Sequence, residues 1–332
     1  VAYCPGRFWA SDNTIVAYPK SADFDILYIS YLLRNTDLHR WAGGAAQPLL
    51  TQTVLSQVEV AVPPLSTQRK IAAILSAYDD LIENNLRRIK ILEEMAQALY
   101  REWFVKFRFP GHEHARFVDS PLGRIPEGWE VVAFTDIADV CSGGTPRTTV
   151  PEYWDGPIPF FAPKDAPESF YVTTTEKTIT EEGLRRCNSR LYPKDTVFIT
   201  ARGTVGKVVM PSVDMAMNQS CYALRGRPGV GQLYLFMATR EQVNYLKKNT
   251  GGATFDTIVV DTFRRMSVVR PTDDAIATFV ELAEPIAEHI LITVTESAIL
   301  RRTRDLLLPK LISGEMDVSE LDIAVPEEAM GA

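Results

Sequence analysis

The sequence predicts an α+β fold in which globular α/β domains are joined by two long antiparallel coiled-coil helices. The first observation is a stretch, 66–107, that has no glycine or proline and carries apolar residues at spacings of three and four. That is the period of a helix with one buried stripe. The second is a similar pattern over 273–313. Between them the chain is rich in threonine, glycine and proline and contains short β-type runs, which are typical of a sheet-containing domain.

The first long helix requires a partner of similar length. About 42 residues at ~1.5 Å each give a rod of roughly 60 Å, which is longer than an ordinary globular helix and too charged to cross a membrane. The expected buried stripe consists of Ile71, Ile74, Tyr78, Leu81, Ile82, Ile89, Leu92, Ala96, Leu99 and Trp103. In the second pattern, Pro285 and Pro309 are expected to bend or interrupt the helix.

Composition narrows the class of protein. The chain has 332 residues, of which 46% are hydrophobic and 23% charged, ordinary values for a globular protein of two domains or one elongated module. The sequence contains no run of about 18 apolar residues, so no membrane span is predicted. The four cysteines form no Cys-x-x-Cys motif, so we do not expect metal binding or disulfides. We expect a cytoplasmic location instead. The net charge of −7 disfavours nucleic acid only weakly, because 120–270 is slightly basic.

The chain divides into six segments by its patterns. The segments are a first globular domain (1–62), the central long helix (63–110), a polar linker (111–128), a second globular domain (129–271), the C-terminal long helix (272–314) and an acidic tail (315–332). In the first globular domain we expect strands at 14–18 and 54–62 and a helix over 24–42. In the second domain we expect strands at 196–201, 205–210, 220–225 and 266–271 and a helix over 232–248.

The organisation is repeated. Gly43-Gly44-Ala45 recurs as Gly251-Gly252-Ala253, and the same separation pairs Pro63 with Pro271 and Ile71 with Phe279. The unit is therefore a globular domain followed by a long helix, used twice. We expect the two helices to lie side by side antiparallel and to hold the two domains apart. The first copy lacks a counterpart to 129–206, so we expect its front half to be missing from this chain.

Several separated motifs resemble one protein family. The run PPLSTQRKIAAILSAYDDLIENN and the segment IKILEEMAQALYREWFVKF that follows resemble the central region of the specificity (S) subunits of type I restriction–modification enzymes. The run LLPKLISGEMDVSEL is similar to the C-terminal signature of that family, and 128–224 is similar to one of its target recognition domains.

The resemblance implies a bipartite DNA reader. Each target recognition domain would read one half of a split site in double-stranded DNA, and the helices would fix the spacer between the halves. The helices would also dock two methyltransferase (M) subunits, which bind S-adenosylmethionine, and restriction (R) subunits would join for cleavage. No catalytic site and no cofactor are expected on this chain.

The residues agree independently with the absence of catalysis. The sequence has no Asn/Asp-Pro-Pro-aromatic motif, no phosphate loop ending in Gly-Lys-Ser/Thr and no spaced carboxylate set of a nuclease. His112 and His114 lack a third ligand nearby in sequence, so a solvated linker is favoured over a metal site. Gly203 to Lys207 lacks the spacing of a phosphate loop and is interpreted as a turn between two strands.

DNA recognition needs cations for phosphates and amide or bidentate groups for base edges. Such residues occur in three predicted loops of the second domain and after its segment 158–161. The candidates for DNA contact are Thr145, Arg147, Lys164, Arg202, Thr204, Lys207, Asn218 and Gln219. The alternative for each is an ordinary solvated turn. The segment 142–147 is expected to be a flexible loop, and Trp154 is more typical of a core residue than of a contact.

Two other interpretations remain open. The chain could be a coiled-coil adaptor whose globular domains bind protein instead of DNA. A free-standing methyltransferase or nuclease is disfavoured by the missing motifs.

Asn85 lies near the apolar stripe of the first helix, where it would either set the register of the helix pair, as buried polar residues do, or face solvent.

Overall fold

A computed structural model describes residues 1–42, 49–249 and 257–326. The chain forms two compact units. One consists of Val1–Asn85 with Glu296–Ala332, and the other of Leu86–Thr295. The repeated Gly-Gly-Ala segments at 43–45 and 251–253 lie outside the described residues.

The described residues form eight α-helices and twelve β-strands. The helices are α1 (Ile26–Asn35), α2 (Gln52–Leu55), α3 (Leu65–Tyr100), α4 (Phe134–Ile137), α5 (Glu181–Arg185), α6 (Gln232–Asn249), α7 (Val260–Arg265) and α8 (Asp273–Ser313). The strands are β1 (Phe117–Ser120), β2 (Gly123–Pro126), β3 (Glu130–Ala133), β4 (Ala138–Ser142), β5 (Trp154–Phe161), β6 (Tyr171–Val172), β7 (Lys177–Ile179), β8 (Val197–Thr200), β9 (Val208–Pro211), β10 (Ala216–Met217), β11 (Cys221–Gly226) and β12 (Ser267–Arg270).

The two expected long helices are present. Helix α3 begins directly after Pro63-Pro64, and a π-helical turn, Arg101–Val105, continues it. Helix α8 runs for 41 residues without interruption at Pro285 or Pro309, so the interruption considered for these prolines does not occur. Both prolines lie on exposed positions, where water can solvate the carbonyl that a proline leaves without an intrahelical donor.

In the first unit, α1 packs on the two long helices. Tyr28 and Tyr31 of α1 share a buried cluster with Ile71 and Leu75 of α3 and with Leu311 of α8. The N-terminal part of α3 therefore meets the C-terminal part of α8, which is the antiparallel arrangement expected.

A buried glutamine fixes the loop before α1. The side-chain oxygen of Gln68 accepts a hydrogen bond from the Asp25 N–H at 2.9 Å. Its amide donates to the carbonyl oxygens of Asp23 and Pro63 at 3.0 and 2.8 Å. Asn85 is also buried, with 7% of its surface exposed, so the solvent-facing alternative for this residue is wrong.

The strands expected at 14–18 and 54–62 are not formed. Residues 52–55 are helical instead, as α2. A strand requires a neighbour for its backbone hydrogen bonds, and no other strand occurs among the described residues of this unit. Alternation of apolar residues alone therefore misled the prediction.

In the second unit, α3 and α8 are again antiparallel. The guanidinium of Arg88 lies 2.9 Å from Nε2 of His289, and farther along α3 the ring of Tyr100 lies 5.9 Å from the ring of Phe279. Phe104 joins the same aromatic cluster, with its ring 5.1 Å from Phe279 and 5.0 Å from Tyr234 of α6. This cluster belongs to the core that underlies the sheet.

A five-stranded sheet with the order β4-β11-β8-β9-β6 forms the centre of the second unit. Its pairings are antiparallel except that of β6 with β9. A separate three-stranded sheet has the order β10-β5-β7, and β3 pairs with β12 in a two-stranded sheet.

The segment expected to be a polar linker, 111–128, contains a β-hairpin instead. Strands β1 and β2 pair with Val118 opposite Ile125. Ile125 is buried, and the ring of Phe117 lies 6.1 Å from that of Phe107. The hairpin forms because these apolar side chains find a core, which a count of polar residues does not reveal.

Candidate nucleic-acid interface

The pairing of the central sheet brings three loops to one end of it. Strand β4 ends at Ser142, opposite Tyr222 near the start of β11. Strand β8 ends at Thr200, opposite Cys221, and β9 starts beside it. The loops 143–147, 201–207 and 218–220 therefore leave the sheet at the same end, which we call the loop end.

The three-stranded sheet adds a fourth segment. Strands β5 and β10 are parallel, with Phe161 opposite Met217, and the Asn218 N–H donates to the Phe161 carbonyl at 2.9 Å. The chain after Phe161, which contains Lys164, thus leaves beside the 218–220 loop. All eight residues predicted from the sequence to contact DNA consequently lie at the loop end.

The 143–147 loop, for which we expected flexibility, is closely packed at its two glycines. Gly143 and Gly144 are buried. A Cβ at Gly143 would lie 2.7 Å from the Met217 carbonyl oxygen, with the Asn218 carbonyl oxygen nearer still. The Gly144 N–H donates to the Met217 carbonyl at 3.1 Å. The two glycines permit backbone to pack directly on backbone here.

This packing joins Thr145 to Gln219. The Thr145 hydroxyl hydrogen-bonds to the Gln219 side-chain oxygen, which leaves the amide N–H groups of an exposed glutamine pointing away from that bond. Asn218 is used differently. Its side-chain oxygen accepts from the Ser220 N–H at 3.0 Å and so shapes the loop, a role that the residue type alone did not indicate.

The 201–207 turn is held by backbone contacts and presents two exposed side chains. The Thr200 hydroxyl donates to the Thr204 carbonyl, and the Ala201 N–H donates to the Ser220 carbonyl at 2.8 Å. Arg202 and Thr204 are exposed, as is Arg147 of the neighbouring loop. Neither arginine forms an ion pair with another residue in the described part of the chain.

The two predicted lysines are engaged by carboxylates. Lys164 pairs with Glu176, and Lys207 pairs with Glu168. The Lys207 hydrogen bond holds the pKa of Glu168 below its ordinary value, and the Lys164 hydrogen bond does the same for the pKa of Glu176. Both pairs are partly solvated, so each contributes little to stability and can be exchanged for another anion at small cost.

Two cations on α6 were not among the DNA-contact candidates from the sequence. The Arg240 guanidinium lies 4.7 Å from the centre of the Phe170 ring and 5.5 Å from that of Phe236. The ammonium of Lys247 donates to the Gly206 carbonyl at 3.1 Å. Their separation of seven residues, two helical turns, places both on one face of α6 and could have indicated a shared role.

Trp154 lies against the smaller sheet. Its indole N–H donates to the Arg147 carbonyl at 3.2 Å, and its ring packs on the buried cluster of Phe160 and Ile179. Lys177 lies over the ring at 5.2 Å. Trp154 is half-buried, and it holds the 143–147 loop through this hydrogen bond while its ring packs against the cluster.

The loop end therefore offers exposed cations, an amide and hydroxyl groups on closely packed loops. These groups suit phosphates and base edges. Among residues 1–42, 49–249 and 257–326, no group of three or more His, Cys, Asp or Glu side chains could hold a metal ion. The described helices include none that is long and apolar enough to span a bilayer.

Comparison with known proteins identifies relatives. The sequence model of the family described as "Type I restriction modification DNA specificity domain" matches residues 1–94 and 126–281. The MjaIX specificity subunit of a type I restriction enzyme from Methanocaldococcus jannaschii is 26% identical over 302 residues, covering 89% of this chain and 70% of that protein. The HindI specificity subunit from Haemophilus influenzae is 24% identical over 386 residues, covering 94% and 84%.

The fold also has a solved counterpart. The crystal structure of a type I restriction–modification S subunit from M. genitalium superposes with a TM-score of 0.57 and 15% sequence identity. The superposition covers 87% of this chain and 73% of that one. At this identity the likeness concerns the fold.

Proposed function

We propose that this chain, which belongs to the type I restriction modification DNA specificity domain family, reads one half of a split DNA site through the loop end of its second unit. As a specificity subunit it is a non-catalytic DNA-recognition component of a type I restriction–modification system. The observation that supports the assignment to the loop end is the convergence there of all eight candidate side chains.

The two kinds of side chain have separate tasks in this proposal. Arg147 and Arg202 are exposed cations, which suit phosphates or the acceptor edge of guanine. Gln219 offers an amide whose orientation is set by Thr145, and a glutamine amide suits adenine. The rigid packing of Gly143 and its neighbours limits the entropy lost when these groups bind DNA.

The long helices are proposed to set the spacing between half-sites. Helices α3 and α8 have 36 and 41 residues, or about 54 and 62 Å at ~1.5 Å per residue. Their lengths are fixed by backbone hydrogen bonds and so provide a stiff element. In the domain assignment that goes with this proposal, 129–271 is the second recognition domain and 1–62 belongs to the first.

The same helices are proposed to dock the partner subunits. Ile91 and Met95 of α3 and Ile292 of α8 are more than half exposed, so the helices offer apolar side chains whose burial by a partner would be favourable. Two methyltransferase subunits with bound S-adenosylmethionine, and restriction subunits in the cleavage complex, are the partners proposed.

Duplex binding tests the proposal against the coiled-coil adaptor. The full chain with its methyltransferase subunits is titrated with duplex DNA between 50 and 200 mM salt. We expect a steep loss of affinity with salt and a weaker affinity for Arg202→Ala. No binding at 50 mM salt would refute DNA recognition and favour the adaptor.

A further inference from the structure

A cleft at the loop end lies between α6 and the 201–207 turn. Its volume is about 220 Å³, and Pro167, Glu168, Gly206, Lys207, Val208, Arg240, Val243, Asn244 and Lys247 line it. The lining comes from three parts of the chain: the segment before β6, the turn with the first residue of β9, and α6. None of the α6 residues was among the candidates from the sequence.

Three of the lining side chains are cations and only one is a carboxylate. Arg240 is half-buried against Phe170 and Phe236, so its guanidinium is held in place and little entropy is lost when it binds an anion. Lys247 lies on the same face of the helix, and Lys207 enters from the turn. With Glu168 ionised, the lining side chains carry a net charge of +2, of which Glu93, close to Arg240, offsets part.

The nearby carboxylates are engaged to different degrees. Glu93 of α3 accepts hydrogen bonds from the Ser169 hydroxyl at 2.6 Å and from the Phe170 N–H at 2.8 Å, so it is committed to the chain beside the cleft. Glu168 holds Lys207, yet 92% of its side chain is exposed. An exposed carboxylate can rotate into water and leave its lysine to another anion at small cost.

We propose that this cleft binds one phosphodiester group of DNA, and that Glu168 occupies Lys207 until the phosphate replaces it. The inference rests on the proposed function and extends it to α6. A phosphate offers several acceptor oxygens, which match the converging donors of Arg240, Lys207 and Lys247. Gly206 and Lys207 of the cleft belong to the same turn as Arg202, so in this proposal one DNA strand contacts both the turn and the cleft. Glu168 is then an internal competitor that lowers affinity for every sequence equally.

The test uses salt dependence, because each phosphate contact adds about 0.9 to the slope of log affinity against log salt. The full chain with its methyltransferase subunits is titrated with a labelled duplex lacking the recognised site at 50 and 200 mM salt. Lys247→Gln removes an exposed cation of the cleft together with its hydrogen bond to the Gly206 carbonyl, so thermal unfolding of the variant is measured alongside. Lys194→Gln is the matched control, since Lys194 is exposed and precedes β8, at the opposite end of the sheet.

The range from 50 to 200 mM is a fourfold change in salt, and four raised to the power 0.9 is about 3.5. Loss of one phosphate contact should therefore reduce the effect of salt on affinity by about 3.5-fold. We expect a reduction of up to that size for Lys247→Gln, because Arg240 and Lys207 remain in the cleft. We expect none for Lys194→Gln, and a higher affinity for Glu168→Gln at 50 mM salt. An unchanged slope in Lys247→Gln together with an unchanged affinity in Glu168→Gln would overturn the inference.

Two further results separate the alternatives. Inorganic phosphate is added to the same proteins, and thermal stabilisation is measured. Stabilisation that is lost in Lys247→Gln, without any change in the DNA slope, would assign the cleft to a free anion and contradict the proposal. If the wild type binds no duplex, the proposed function itself fails. If the wild type binds duplex and the Lys247→Gln variant keeps the wild-type slope, the result counts against the cleft alone.

Discussion

The contact between the 143–147 and 218–220 loops makes a direct prediction for Gly143→Ala. The added Cβ would lie 2.7 Å from the Met217 carbonyl oxygen, and the other near atoms are also backbone. A contact of this kind cannot be relieved by rotation of a side chain, so the two loops must separate. Separation breaks the hydrogen bonds from Gly143 N–H to the Cys221 carbonyl at 3.3 Å and from Gly144 N–H to the Met217 carbonyl at 3.1 Å.

The cost follows from these contacts. Each broken backbone hydrogen bond costs about 1 kcal/mol, and overpacking adds about 1–3 kcal/mol. Because the loops can partly adjust, we expect the free energy of unfolding to fall by about 2–4 kcal/mol. For a unit of about 200 residues, the melting temperature should fall by about 4–16 °C.

The assay has a stability and a recognition readout. Thermal unfolding and duplex affinity are measured for the wild type, Gly143→Ala and the control Ser142→Ala, whose exposed side chain predicts a change within about 0.5 kcal/mol. We expect Gly143→Ala to weaken binding to the recognised site more than to other duplexes, because Thr145 no longer orients Gln219. Wild-type stability and wild-type discrimination in Gly143→Ala would refute the reasoning.

Three other predictions concern the core, the pH dependence and the helices. Phe279→Ala removes a fully buried ring and should cost about 3–5 kcal/mol in chemical unfolding; a loss below about 1 kcal/mol would contradict its place in the aromatic cluster. Burial raises the pKa of Glu93 above its ordinary 4.5, so the native state binds more protons than the unfolded state just above that pH and stability falls as pH rises through this window. The unfolding free energy of the wild type minus that of Glu93→Gln should therefore decrease from pH 4.5 upward, and an increase would show that the ionised form is favoured. Seven residues inserted into each long helix add about 10.5 Å and should lengthen the spacer of the methylated site by about three base pairs at ~3.4 Å each; an unchanged spacer would reject the spacing role.

Periodicity predicted the helices well because it reports directly on burial. The 3.6-residue pattern placed α3, α6 and α8 close to their observed bounds. It did not predict that α8 continues through Pro285 and Pro309, because tolerance of a proline depends on whether the carbonyl it leaves unpaired is solvated. That depends on which face of the helix is exposed, a property of the folded unit.

Strands were less predictable because they depend on distant partners. The alternation at 54–62 has no neighbouring strand among the described residues of its unit, whereas the segment 117–126 forms a hairpin that its polar composition disfavoured. The order β4-β11-β8-β9-β6 could not be derived from the chain, since strand order is decided by long-range contacts. That order is what brings the predicted loops together.

The candidate site was predicted by residue type and not by arrangement. The sequence indicated Arg202, Gln219 and their neighbours, but not that Lys207 is paired with Glu168. It also gave no sign that Asn218 shapes its own loop. Arg240 was missed because its role depends on Phe170, which lies 70 residues away in the sequence and beside it in the fold.

Sequencing of DNA methylation tests the central claim most directly. A strain that lacks other methylation systems expresses this chain with its methyltransferase subunits, and its methylated adenines are mapped. We expect one motif of two short halves separated by a fixed spacer. The variant Thr204→Ala/Gln219→Ala should relax or lose one half and retain the other, whereas Ser142→Ala should leave both unchanged. Both halves intact in the double variant would contradict recognition by the loop end.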